Sequence, residues 1–316
     1  MNRFILNSFL VITICTNAFS QNCDSLYVRS LKQFDASNIK ESAQTIQTCI
    51  QQCAAHTKYY MHAAKCWYQL KDYEKTIQYL QSAIAIDSTH IPAYALRAQI
   101  YMNAELYSKA IPDYEKIVSL ITHLDSTTAV YRINLSKAYL NTSAYDKAYT
   151  LLKELYEYDA KNLELLTNLS VCAMKLDKES DAALYLQQIL AINPQYTPGL
   201  INYGFFMIEK QEFQKAIEYL NKALTIQPRE AYALNNRGYA YYKLGKYDNA
   251  LEDITTSISY DPSNSYAYRN RAYVYSTTGL TKEACADIQK AIQLGYIAMY
   301  GNDILQLQKE LCISKK

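Results

Sequence analysis

The sequence has 316 residues, half of them apolar and a fifth charged, with a formal net charge of +2 at pH 7. That balance excludes a disordered chain, and the absence of any long single-sign run excludes a nucleic-acid-binding tract or a polybasic membrane patch. Seven Gly and six Pro are too few to turn a β-rich chain, so the composition predicts helices joined by short turns, with 32 Tyr as its outlier.

Residues 1–20 carry Arg3, an apolar run from Phe4 to Cys15, a polar stretch and then Ala18-Phe19-Ser20. This is the layout of a secretory signal cleaved after Ser20. Ile14 fits poorly before a lipid-bearing Cys15, so a lipoprotein is the weaker reading. The apolar run is short for a bilayer span, and no later segment reaches 18 uncharged apolar residues. The expectation is an exported protein, periplasmic or secreted, with no integral membrane span.

From residue 23 the chain repeats every 34 residues. The units are 23–56 (degenerate), 57–90 and 91–124, then four extra residues from Asp125 to Thr128, then 129–162, 163–196, 197–230, 231–264 and 265–298. Position 8 of the units reads Ser30, Ala64, Ala98, Ser136, Ser170, Gly204, Gly238 and Ala272. Position 20 reads Ser42, Thr76, Ala110, Ala148, Ala182, Ala216, Ala250 and Ala284. Small residues at both places suit two antiparallel helices crossing at close range. Position 24 is always large and apolar, from Ile46 and Leu80 through Tyr114 to Ile254 and Ile288. Each unit therefore predicts a first helix, A, and a second helix, B, with Pro194, Pro228 and Pro262 closing B helices. Eight Tyr fall at positions 11 (Tyr101, Tyr139, Tyr241, Tyr275) and 17 (Tyr73, Tyr107, Tyr145, Tyr247), which reads as packing with the hydroxyl at the rim. Pro112 sits inside the third B helix and predicts a kink. With the insertion it divides the array into an N-terminal part, 21–124, and a C-terminal part, 129–298. In the remainder, 299–316, Ile304, Leu305, Leu307 and Leu311 predict a capping helix over 300–313.

In 231–264 the run Gly238, Tyr241, Leu244, Gly245, Tyr247, Ala250, Ile254 and Pro262 resembles the tetratricopeptide repeat pattern, and the frame extends that resemblance over nearly the whole chain after residue 22. The resemblance implies an all-α solenoid, a right-handed superhelix of antiparallel helix pairs. It also implies a concave groove lined by positions 2, 5, 6, 9, 12 and 13 of the A helices. Position 6 then presents Asn134, Asn168, Asn202, Asn236 and Asn270, similar to the asparagine ladder of family members that hold extended peptides; each carboxamide can pair with a backbone whatever its side chains. Around it stand Ile133, Leu140, Val171, Met174, Ile201, Phe205 and Ile208, either open or filled by the curvature of the array. Units 231–298 add Tyr232, Asn235, Tyr239, Tyr242, Lys243, Tyr266, Arg269 and Tyr273, an aromatic and weakly basic end that fits a partner's acidic group. The family's carboxylate clamp does not match, because position 2 is basic only at Lys58 and position 6 is never Arg or Lys.

Seven Cys follow the signal. Cys285 and Cys312 lie at matching helix ends and predict one disulfide; Cys23 predicts a second with Cys53 or Cys49. Cys172 reads as a buried free thiol, and Cys49 and Cys66 have no assignment. His56, His62, His90 and His123 are scattered, and His62 one turn before Cys66 supplies too few ligands for a structural zinc site. No metal site, cofactor or catalytic motif is expected. The function implied is a non-catalytic scaffold that binds a protein or extended peptide in its groove, in a bacterial envelope or secreted space. The alternatives are a structural subunit docking by its convex face or N-terminal units, and a regulatory module or enzyme whose site carries no known motif.

Overall fold

The computed structural model describes residues 22–121 and 123–313; the leader expected at 1–20 lies outside them. These residues form helices and turns, with no strand among them. The A helices are α1 (22–35), α3 (Thr57–Gln69), α5 (Ile91–Asn103), α7 (Ser126–Asn141), α9 (Leu163–Lys175), α11 (Thr197–Glu209), α13 (Ala231–Lys243) and α15 (Ser265–Thr277). The B helices are α2 (Ile39–Gln52), α4 (Tyr73–Ile86), α6 (Tyr107–Leu120), α8 (Tyr145–Tyr158), α10 (Glu179–Ile192), α12 (Phe213–Ile226), α14 (Tyr247–Tyr260) and α16 (Thr281–Gln293). The chain divides between Leu151 and Leu152, inside α8, into two compact units.

Every A helix ends the same way. Position 15 adopts the left-handed conformation in all eight repeats: Ser37, Lys71, Glu105, Ser143, Asp177, Gln211, Gly245 and Gly279, with φ between 55° and 80°. The next residue then returns its N–H to the carbonyl of position 11, as Asp72 does to Trp67 at 3.0 Å and Lys246 to Tyr241 at 2.9 Å. This closure satisfies carbonyls that the helix end would orphan, and it turns the chain directly into helix B. Only two repeats use Gly, although left-handed backbone costs other residues about 1–2 kcal/mol.

The reversal brings A and B together at their small residues. All sixteen residues at positions 8 and 20 are buried, and those at position 24 are at most 1 % exposed. Positions 7 and 23, sixteen residues apart, close the flank of several pairs. Arg97 donates from Nε and Nη2 to both oxygens of Asp113 at 2.8 and 2.6 Å. Arg237 with Asp253 and Arg271 with Asp287 repeat the fork, and Tyr203 stacks on Tyr219 in the same place, centroids 4.3 Å apart. Of the position 11 and 17 tyrosines, Tyr139 is buried and donates to Glu115 Oε1 at 2.5 Å, whereas Tyr73 is exposed, so the packing role expected of all eight does not extend to Tyr73.

In the first unit, α6 runs from Tyr107 to Leu120 through Pro112 without interruption. The insertion at 125–128 supplies the start of a longer A helix: α7 begins at Ser126, where Asp125 and Thr128 cap it reciprocally, each backbone N–H meeting the other's side-chain oxygen at 2.8 Å. Between α1, α2 and α3 lies a buried polar knot. His62 Nε2 is 2.9 Å from Ser30 Oγ, 3.2 Å from Ser42 Oγ and 3.8 Å from Cys66 Sγ.

In the second unit the cap departs from the single helix expected over 300–313. It begins earlier, as α17 (Tyr296–Tyr300), breaks at Gly301 with φ 108°, and resumes as α18 (Asp303–Gln308), followed by a π turn (Lys309–Ile313). Tyr296, Ile304 and Leu307 are buried, and Leu305 turns outward. Disulfides join Cys285 to Cys312 here and Cys23 to Cys53 in the first repeat, each with Cα atoms 5.8 Å apart. Cys49, Cys66 and Cys172 are buried free thiols, and burial pushes that of Cys172 up to about 12.

Two outcomes follow. A Cβ at Gly245 would meet no atom within 4 Å, so Gly245→Ala tests backbone strain alone and should cost about 1–2 kcal/mol in urea unfolding. Gln211→Gly, which relieves the same strain and loosens the unfolded chain, should gain up to about 1 kcal/mol; equal midpoints for both would contradict the left-handed turn. Burial of the His62 ring lowers its pKa below the ordinary 6.5. The unfolded chain therefore takes up this proton first. The stability His62 contributes is full above about pH 6.5 and is lost as pH falls toward the folded-state pKa. Between about pH 7 and pH 5 the wild-type melting temperature should fall further than that of His62→Gln.

Candidate functional site

In the second unit, successive A helices touch: α9 with α11, α11 with α13, and α13 with α15. Their shared face carries an aromatic row. Tyr239 and Tyr242 of α13 have ring centroids 6.0 Å apart, and Tyr242 lies 6.4 Å from Tyr273 of α15. All three are half-buried, so each ring offers a face that is already packed on one side. Lys243 is exposed at the rim, its Nζ 5.9 Å from the Tyr239 ring and 6.0 Å from Phe213. Tyr232 is 57 % exposed.

The position 6 amides do not form one open ladder. Asn270 is completely buried; it donates to Asn235 Oδ1 at 3.0 Å and accepts from Arg269 Nη1 at 2.9 Å. Asn235 is buried with it. Both amides hold repeats together rather than facing a ligand. In the first unit Asn134 is half-buried and acts on the Tyr114 hydroxyl of α6, partly offsetting the rise in its pKa that burial causes. Asn168, Asn202 and Asn236 remain half-buried and carry no side-chain hydrogen bond among the described residues.

Arg269 also departs from the free cation expected of it. Its guanidinium lies 4.4 Å from the Tyr273 ring centroid and within 6 Å of Tyr239 and Tyr266, and it donates from Nε and Nη2 to Asp303 Oδ2 at 3.0 and 2.5 Å. Burial opposes the charge, but the Asp303 carboxylate together with the Tyr266 and Tyr296 side chains outweighs it and raises the Arg269 pKa. Tyr266 is covered by Tyr296 and Tyr300, centroids 5.9 and 5.0 Å away. Asp303 and Tyr300 follow Arg269 and Tyr266 by one repeat length. They occupy positions 5 and 2 of an incomplete ninth A helix, and one more step of the frame finds them.

The apolar groove positions are neither open nor filled. Val171, Met174, Ile201 and Phe205 are half-buried, and Ile208 is buried; in the first unit Ile133 and Leu140 are half-buried. Sequence reasoning passed over a trough in that unit. About 610 Å³ lies among Phe34, Met61, Lys65, Tyr68, Gln69, Leu96 and Tyr131. Most of these fall at positions 5, 6, 9, 12 and 13, so applying the groove positions to the first three repeats gives it. Among the described residues no three His, Cys, Asp or Glu side chains group as metal ligands, and no helix is long and apolar enough to cross a membrane. The side chains present can bury rings, pair with a peptide backbone and meet a charge.

The two kinds of amide separate by mutation. Asn270→Ala strands a buried acceptor on Asn235 and an N–H of Arg269, and should cost about 1–3 kcal/mol in urea unfolding. Asn202→Ala and Asn236→Ala should stay within about 0.5 kcal/mol of wild type.

Comparison with known proteins matches this geometry. Models of the tetratricopeptide repeat match residues 91–122, 139–195, 231–264 and 265–294, and a TPR repeat model matches 207–245. The human and mouse "DnaJ homolog subfamily C member 7" are each 41 % identical over 49 residues, which is 16 % of this chain and a tenth of the relatives' length. Among solved structures, the APC/C hetero-tetramer Cut9-Hcn1 covers 91 % of this chain and 55 % of its own at 16 % identity, TM-score 0.59. A thermophilic TPR protein of Thermus thermophilus, TTC0263, covers 57 % of this chain and 96 % of its own at 20 % identity, TM-score 0.51. Eight helix pairs with one reversal, one crossing and one frame make this chain a member of the tetratricopeptide repeat family.

Proposed function

We propose that the protein is a non-catalytic scaffold that binds a protein or an extended peptide segment on its A-helix face. The observation that carries this is the half-buried row Tyr239, Tyr242 and Tyr273 beside the unbonded amides of Asn202 and Asn236. Aromatic side chains held on one side and open on the other dominate protein interfaces, and carboxamides without internal partners serve a peptide backbone. The apolar trough of the first unit is, taken by itself, a second surface of the kind that buries a partner's side chains. The basic, apolar and small-residue pattern of 1–20, with the two disulfides, supports an exported protein acting in a bacterial envelope or secreted space.

A specific observation favours a second reading, a structural subunit of an envelope assembly. The last residue of four consecutive B helices is a large exposed apolar side chain: Tyr158, Ile192, Ile226 and Tyr260. Such a stripe, one residue per repeat, offers a docking edge away from the groove.

Affinity capture from an envelope extract with matched variants separates the two. The groove reading expects Tyr239→Ala with Tyr242→Ala to weaken capture at least about tenfold with little change in melting temperature, and Lys222→Ala or Lys290→Ala to change nothing. Loss of capture on Ile192→Asp with Ile226→Asp, and retention by the tyrosine variants, would transfer the function to the B-helix edge.

A further inference from the structure

The arginine–aspartate pairs among the described residues come in two kinds. Asp113, Asp253 and Asp287 are buried carboxylates that take an arginine fork with both oxygens. Asp303 is different in each respect. Its side chain is 40 % exposed, and a single oxygen, Oδ2, receives Arg269 Nε, Arg269 Nη2 and the Tyr273 hydroxyl, the last at 3.4 Å. It stands on a six-residue helix just after Gly301, where the backbone takes a φ of 108° open to glycine, while Gly295 at 83° precedes α17. Asp303 is the solvent-reached partner of this pair, so water can take the place of the guanidinium when its carboxylate exchanges. Arg269 cannot leave in the same way: its side chain is 13 % exposed, faced by three tyrosine rings and held by Asn270.

We infer that Arg269, walled by Tyr239 and Tyr273, is a receptor for an acidic side chain of an extended peptide partner, and that Asp303 is its resident competitor. The assignment rests on the groove reading above and deepens it by naming the partner's chemistry. Lys243, exposed at the rim beside Tyr239, adds a second positive charge on the approach. The partner's Asp or Glu takes the place of Oδ2 on the guanidinium, and Asp303, already at the surface, turns to water. The cap keeps its seat, because Tyr296 and Ile304 remain in the core and Cys312 remains bonded to Cys285. The capping segment thus sets a threshold on binding: only a carboxylate presented with neighbouring contacts outcompetes one tethered beside the site.

The test uses the full chain and a fluorescein-labelled, C-terminally amidated peptide carrying one Asp between two Tyr, its Asn twin, and the free-acid form of that twin. Anisotropy titration should show Asp303→Asn binding the Asp peptide about tenfold or more tighter than wild type, the factor expected when the resident carboxylate blocks roughly nine-tenths of sites. The Asn twin should bind both proteins alike, and Asp303→Asn combined with Arg269→Gln should lose the gain. No gain for Asp303→Asn, or an equal gain for the Asn twin, overturns the proposal. A gain only for the free-acid twin overturns the side-chain assignment in favour of a terminal carboxylate. Should Asp303→Asn fold poorly, the Arg269 Nε–H resonance of the unaltered chain provides the reading: it should shift with the Asp peptide and stay with the Asn twin. None of these readings needs the native partner, so they stand or fall apart from the capture experiment.

Discussion

Two helices approach to about 8 Å only where neither carries a large side chain at the crossing. Positions 8 and 20 meet that condition in every repeat, and in two of them even a methyl group is too much: a Cβ on Gly204 would lie 2.6 Å from Leu220 Cγ, and on Gly238 2.5 Å from Ile254 Cγ1. The rest of the repeat depends on this distance. It lets the position 24 side chain reach across and be buried completely, and it brings positions 7 and 23 close enough for a two-point arginine fork or a stacked tyrosine pair. It also demands a reversal of very few residues, which the left-handed turn at position 15 supplies. A larger residue at the crossing would loosen all of these at once.

Much of this is legible in the sequence, because sterics at a crossing leave a residue-type signature. Small residues at two fixed positions and a large one at a third locate both helices of all eight repeats. The turn is not legible in the same way. Ser, Lys, Glu, Asp and Gln fill position 15 in six repeats, and nothing in those side chains announces a left-handed backbone; the hydrogen bonds on either side impose it. The sixteen-residue Arg and Asp spacing is written plainly in Arg97–Asp113, Arg237–Asp253 and Arg271–Asp287, but it is visible only when the two helices are already known to cross there.

The aromatic A-helix face is legible by position and misjudged by exposure. The frame places Tyr239, Tyr242, Tyr273, Lys243 and Arg269 on one face, and they do stand together. It cannot say that Asn270 turns toward Asn235, because an amide that serves a peptide and one that serves a neighbouring repeat have the same letter and the same position. Nor does counting whole repeats reveal Asp303, which belongs to a fragment of one. The charge of Arg269 is therefore answered within the chain, while Lys243 stays exposed at the rim.

A linear array whose repeats hold only their neighbours ordinarily melts from its ends, where each terminal repeat lacks one of two supports. Here the first repeat and the last one are each sewn. The Cys23–Cys53 bond closes a span of 30 residues across the first repeat, and Cys285–Cys312 closes 27 residues across the last B helix and the cap. Such ties restrain fraying where it would start and leave the repeats between them without a covalent tie. Cys172 lies there, wholly buried and far too weakly acidic to react while its repeat is closed. Its thiol becomes a built-in gauge of how often the middle of the molecule comes apart.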